Sequence, residues 1–232
     1  MEIFLRGKKF KAEIRKASDL IPVLAFPEAL KEDFNAYYMF RNIYFDDEQL
    51  SKLKETGLRY DYTIMISAEV GGERIKTLGH YHPEVFEGLT YPEVYQVLKG
   101  RAFFLLQKEV EGKIVDAVVV EAEKKDIVIV PPNYGHVTIN PEDEKIVTAN
   151  WVCNKFSPIY EPYKMRRGAC YYYVNEEWIK NPRYGKVPEL RFAEPNSFFD
   201  LEDMFELIDD VEKLSFLTKP QEKINIIKKI RI

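Results

Sequence analysis

The sequence is poor in residues that usually carry chemistry: three histidines and two cysteines among 232 residues. The cysteines, Cys153 and Cys170, form no CxxC pair and match no zinc-ligand spacing, so each reads as a buried, reduced thiol in an apolar strand. No apolar run of roughly 18 residues occurs, which excludes a transmembrane helix. The opening stretch MEIFLRGKKFKAEIRK has no apolar block of the kind a secretory signal needs, and a cytoplasmic protein without membrane association is expected. A net charge of −4 offers no basic surface for nucleic acid. There is no Gly-rich phosphate loop and no βαβ alternation, which argues against a nucleotide-binding α/β fold.

What is present is a series of short apolar runs cut by turn signals. From Tyr62 to about Val174, runs such as YTIMISAEV, ERIKTL, EVYQVL, AFFLLQKEV, KIVDAVVVEA, DIVIV, HVTI and KIVTANWVC end at Gly71-Gly72, Gly79, Lys99-Gly100, Glu111-Gly112, Pro131-Pro132 or Asn140-Pro141. This predicts seven or eight strands about ten residues apart in an all-β sandwich or barrel. Upstream, FNAYYMFRNIYF reads as an aromatic strand, and Asp46 to Glu55 as a short helix with acids at its N-terminal end. After about Pro195, Leu201, Met204, Phe205, Ile208, Val211 and Leu214 recur at helical spacing, with Asp200 as cap and Asp203 in the first turn. Pro220 opens a second predicted helix. The expected organisation is one domain over 1–188, with a helical extension over 189–232 packed on it.

All three histidines fall in two short strings. In Gly79-His80-Tyr81-His82, a strand would turn both imidazoles to one side, about 7 Å apart along the chain. In PPNYGH, a turn delivers His136 to the start of the next strand. Between them Glu93 opens EVYQVLKG, with its carboxylate on the same face as Tyr95. A lone histidine is usually a surface or satisfied core residue. An HxH string, a strand-opening glutamate and a PPxxxH turn together point to one divalent metal site, suited to Fe²⁺, Mn²⁺, Ni²⁺ or Zn²⁺.

These motifs resemble those of the cupin superfamily: Gly79, His80, His82, Glu93 and Gly100, then Pro131, His136 and Asn140. The resemblance implies a cupin double-stranded β-helix (jelly-roll) barrel. The inserted segment PEVFEGLTYP departs from the pattern, and its Glu84 and Glu87 compete with Glu93 for the ligand role. TLGHYH, EVYQVLKG and PPNYGHVTIN are similar to segments of the cupin-type glucose-6-phosphate isomerases, over roughly Arg15 to Tyr184. That resemblance implies interconversion of glucose 6-phosphate and fructose 6-phosphate. It implies one divalent ion, Fe²⁺ first among the candidates, on His80, His82, Glu93 and His136. It implies a sugar phosphate bound by Thr63, Thr77, Gly79 and Tyr160, with Tyr95 lining the pocket and Glu93, Tyr95 and His136 serving the chemistry. NKFSPIYEPY lacks a histidine that some relatives carry. Other cupin enzymes (a dioxygenase, a mannose-6-phosphate isomerase) and a non-catalytic sugar-binding cupin are the alternatives. A homodimer is expected, with AYYMFRNIYF adding to a partner sheet.

Overall fold

Ten strands in two sheets form the barrel, and side-chain alternation along them decides what faces its interior. In chain order they are β1 (Glu13–Lys16), β2 (Asn35–Phe40), β3 (Leu58–Met65), β4 (Glu93–Lys99), β5 (Ala102–Val110), β6 (Lys113–Ala122), β7 (Ile127–Val130), β8 (Tyr134–Ile139), β9 (Ile146–Cys153) and β10 (Arg191–Ala193). One sheet runs β7-β4-β9-β3-β2-β1, the other β8-β5-β6-β10. Only the pairing of β6 with β10 is parallel among these strand pairs. The computed structural model describes residues 1–197, 199, 201–230 and 232. Asp200, the expected helix cap, lies outside the described residues.

The two sheets share an apolar core. Tyr95 and Val97 from one sheet meet Phe104, Leu106, Val137 and Ile139 from the other, and the Tyr95 and Phe104 rings lie 5.1 Å apart. Beta-branched and aromatic residues suit these half-buried, pleated surfaces. Across β4, β9 and β3 the register sets Glu93, Val152 and Arg59 in one row, and Tyr95, Asn150 and Asp61 in the next. Polar side chains thereby line one end of the barrel while Met65 and Ile146 close the other.

A second apolar cluster covers the outer face of the six-stranded sheet. Phe40, Tyr60, Val94, Ile129 and Trp151 pack there against Leu53 and the tail residues Met204, Phe205, Ile208, Leu214 and Phe216. Leu53 belongs to α1 (Asp47–Thr56), which begins where Asp46 accepts a hydrogen bond from the Gln49 amide at 2.8 Å and ends at left-handed Gly57. Both cysteines are buried and free. Burial pushes the Cys170 thiol up to about 12. No helix among the described residues is long and apolar enough to cross a membrane.

Three expectations need correction. The tail does not form two regular helices. It makes 3₁₀ turns over Met204–Asp209, Val211–Leu217 and Pro220–Lys223, then a single α-helical turn, Ile224–Ile227. The backbone leaves the helical region at Asp210 and Lys219 (φ −137° at both), which divides the run while Met204, Phe205, Ile208 and Leu214 stay buried. Asp203 caps the first turn by accepting from the Phe205 amide.

The segment ERIKTL is a strand only at Glu73–Arg74. From Lys76 to Tyr81 single bridges replace a continuous ladder, because Gly79 sits at φ +76° and breaks the extended run. The aromatic strand β2 is an interior strand, hydrogen-bonded on both sides by β1 and β3, so it cannot add to a partner's sheet. On that side of the sheet the outermost strand is the charged β1.

Phe205 ties tail to barrel: its ring lies 4.9 Å from Phe45 and 5.1 Å from Tyr60. Phe205→Ala is expected to cost about 3–5 kcal/mol. At this chain length that lowers the melting temperature by roughly 6–20 °C. An unchanged melting curve in calorimetry would show that the tail adds nothing to the stability of the fold.

Candidate functional site

His80 and His136 meet because their backbones pair. The His80 amide donates to the His136 carbonyl at 3.2 Å, and the His136 amide donates back to the His80 carbonyl at 3.0 Å. This antiparallel bridge joins the two histidine strings across 56 positions of sequence. Two glycines permit the approach. A Cβ at Gly79 would lie 2.6 Å from Tyr163 and Val137, and one at Gly135 would lie 2.7 Å from the Tyr81 ring. Tyr81 points away from the histidines, where its hydroxyl accepts from Gln107 at 2.7 Å, and its backbone pairs with Ile159. That second bridge brings Tyr160 beside His80, with ring centroids 5.6 Å apart.

His82 and Glu93 complete a tight group. The Nε2 atoms of His80 and His82 are 3.1 Å apart, and Glu93 Oε2 lies 3.2 Å from His82 Nε2 and 3.3 Å from His136 Nε2. One donor atom from each of the four residues falls within 4.8 Å of the others. The imidazoles thus approach much more closely than the 7 Å strand rise predicts, because the HxH string is a pair of bridges and not a flat strand. Glu93, His82 and His136 are buried and His80 is half-buried.

The donor set fits a divalent metal ion. Ligands at about 2.1 Å from one ion and at right angles to each other are themselves about 3 Å apart, as the His80–His82, His82–Glu93 and Glu93–His136 pairs are. His82 Nδ1 lies 2.8 Å from the Tyr91 carbonyl, a contact that places its proton there and leaves Nε2 bare toward the cluster. Asn150 donates to Glu93 Oε1 at 2.7 Å, which leaves Oε2 buried with no hydrogen bond. An ionised oxygen in that position is costly unless a cation compensates it.

Electrostatics agree. Burial, reinforced by His136 and His82, pushes His80 well below the ordinary imidazole range. Burial also lowers His136, against the pull of Glu93. For Glu93 burial opposes ionisation, but His136 and His82 outweigh it and hold the carboxyl well below the usual range. Neutral imidazoles beside a carboxylate are the protonation state that metal binding requires. Burial, then the Glu93 charge, raises Tyr95 well above the usual phenol range, so it stays a neutral phenol, 3.0 Å from His136 Nε2.

The cluster opens into a cavity with about 650 Å³ of space unfilled by protein, part of it open to solvent. Thr63, Thr77, Gly79, Tyr95 and Tyr160, all singled out from the sequence, line it together with His80, His82 and Glu93. His136 stands behind, touching Glu93 and Tyr95. Glu84 and Glu87 are exposed on the Glu84–Thr90 hairpin, where Glu84 accepts from the Gly88 amide. They take no part in the cluster. Sequence reading missed Arg41, Arg59, Asn150 and Phe156, which also line the cavity. The signal for three of them was polarity in phase with inward residues: Arg41 follows Tyr37 and Met39, Arg59 precedes Asp61 and Thr63, and Asn150 stands between Thr148 and Val152. Phe156 packs 4.5 Å from the His82 ring and stacks on Tyr91.

Comparison with known proteins places this arrangement. A stretch of 94 residues is 38% identical to a glucose-6-phosphate isomerase of Thermococcus litoralis, covering 40% of this chain and 45% of that protein. A stretch of 141 residues is 32% identical to a glucose-6-phosphate isomerase of Thermococcus onnurineus, covering 59% and 67%. The matches thus span from about half to two thirds of these relatives' length. Among solved structures, a Bacillus subtilis oxalate decarboxylase overlaps 54% of this chain and 28% of its own, at 15% identity and a TM-score of 0.39. The family model described as glucose-6-phosphate isomerase (GPI) matches residues 14–189, a stretch that holds both histidine strings, Glu93 and every lining residue named above. The chain belongs to that family.

Proposed function

We propose that the protein is a metal-dependent glucose-6-phosphate isomerase that interconverts glucose 6-phosphate and fructose 6-phosphate. The observation that supports this most is the convergence of His80, His82, Glu93 and His136 at the head of a cavity lined by hydroxyls, in a chain of this family. The four side chains would hold one divalent ion, with Fe²⁺ first among the candidates and Mn²⁺, Ni²⁺ and Zn²⁺ as others. When bound, such an ion polarises the carbonyl and hydroxyl oxygens of the open-chain sugar.

The chain's own residues do the rest. Thr63, Thr77, the backbone at Gly79 and Tyr160 bind and orient the sugar phosphate through hydroxyl and amide donors. Glu93, held at Oε1 by Asn150, takes the proton from one of C1 and C2 and returns it to the other when its Oε2 is not engaged as a ligand, while the hydroxyl proton passes between O1 and O2. Tyr95 keeps its proton and orients a sugar oxygen. Phe156 and Tyr91 shield the His82 side of the site from water. We assign the catalytic unit to 1–188 and regard 189–232 as an extension. A cytoplasmic homodimer is part of the same proposal, with the β1 edge, and not β2, left to pair.

A coupled assay for conversion of fructose 6-phosphate to glucose 6-phosphate tests the reading. Activity is expected in protein loaded with Fe²⁺ or Mn²⁺, with loss of at least about 100-fold after chelation and recovery on adding metal back. A protein inactive on both sugar phosphates with every candidate metal would overturn it. The role of Glu93 is tested separately in D₂O. Deuterium is expected at C2 of the glucose 6-phosphate formed, and its complete absence would contradict a proton that exchanges with solvent while Glu93 holds it.

A further inference from the structure

Arg41 and Arg59 share a single counter-ion on the cavity wall. Arg41 Nη1 lies 2.7 Å, and Arg59 Nε 2.8 Å, from the same Asp61 oxygen, Oδ2. Asp61 is fully buried, and its other oxygen accepts from the Asn42 amide at 2.8 Å. Two guanidiniums against one carboxylate leave one positive charge that Asp61 does not compensate. The nearest other acid to Arg41 is the exposed Glu13 at 3.9 Å. Both arginine side chains line the cavity and remain about 30% exposed. Arg59 uses only Nε on Asp61. Among the described residues its two terminal nitrogens make no hydrogen bond to the protein, which leaves a fork of free donors on a residue that lines the cavity.

The position of this pair matters. Arg59, Asp61 and Thr63 alternate on the inner face of β3, so Thr63 stands about 7 Å along the strand from the Asp61 that braces both arginines. Glu93 lies two strands away in the row of Arg59. The Arg59 guanidinium, held at Asp61, thus lies between the Glu93 row and Thr63 on the same cavity wall. A planar guanidinium fork matches the oxygens of a phosphate, and a partly desolvated one binds it more strongly than hydroxyls alone.

We propose that Arg41 and Arg59, braced by Asp61, form an anion subsite for the phosphate monoester of the substrate, beside the Thr63 and Thr77 hydroxyls. The identification of the anion as the substrate's phosphate rests on the sugar-phosphate reading above; the subsite itself does not. Arg59 contacts the anion directly. Arg41 supplies charge and holds Asp61, so that Asp61 does not compete for the Arg59 fork.

The test is calorimetric titration of metal-loaded protein with inorganic phosphate, alongside kinetics on fructose 6-phosphate. Arg59→Gln is the informative variant, because Asp61 keeps Arg41 and the Asn42 amide. Its phosphate Kd and its KM are each expected to rise about tenfold, with kcat within about twofold and melting temperature and metal content unchanged. The salt dependence of kcat/KM should flatten with it. Arg59→Lys, which keeps the charge but loses the fork, is expected to recover only part of the loss. Arg59→Gln protein that is folded, metal-loaded and within twofold of wild type in both constants would overturn the subsite. If the protein isomerises no sugar phosphate but Arg59→Gln still loses phosphate binding, the subsite stands and the isomerase reading falls. If an active isomerase is indifferent to Arg59→Gln, the subsite alone falls.

Discussion

Burial of the Glu93 carboxylate is the constraint on which the site depends. A buried carboxylate oxygen without a hydrogen bond, set against the Nε2 atoms of His82 and His136, is unfavourable in a protein interior unless positive charge meets it. The barrel places it there by register: Glu93 opens β4 in the row of Val152 and Arg59, and Asn150 from the adjacent row holds its second oxygen. The three histidines arrive through a backbone bridge between two glycine-bearing strings. Oε2 has only the His82 and His136 Nε2 atoms, at 3.2 and 3.3 Å, beside it, and a cation among these donors would meet its charge.

The surrounding fold keeps this polar end rigid. Inside, Tyr95, Phe104 and Leu106 fill the barrel directly beneath the cluster. Outside, the sheet that carries Glu93 and Asn150 is covered by α1 and the tail, and the Trp151 indole donates to the Met204 carbonyl at 2.9 Å. Gln96, one residue beyond Tyr95, receives the Met204 amide and donates to the Leu201 carbonyl. The C-terminal segment is thus packed onto the back of the strands that present the site. Its sequence, far from the histidine strings, still bears on how firmly β4 and β9 are held.

Much of the site was legible because its chemistry is concentrated. Three histidines in two strings, with a glutamate opening a strongly strand-like segment, leave few ways to build a metal site, and turn residues mark the strand boundaries. Register and depth were not legible. That Asn150 would reach Glu93, or that Arg41 and Arg59 would share Asp61, depends on pairings among strands β2, β3, β4 and β9, whose partners are far apart in sequence. Tail periodicity correctly identified Met204, Phe205, Ile208 and Leu214 as buried, but it could not distinguish a continuous helix from successive 3₁₀ turns broken at Asp210 and Lys219. The aromatic richness of β2 likewise reflects burial on both faces of an interior strand, not a surface waiting for a partner.

The claim that one cation unites the four side chains is tested most directly by counting metal in the purified protein. Elemental analysis after reconstitution and removal of excess metal is expected to give one divalent ion per chain in the wild type, and almost none in folded His80→Ala or His136→Ala. Variants that fold and keep the full complement of metal would contradict the account.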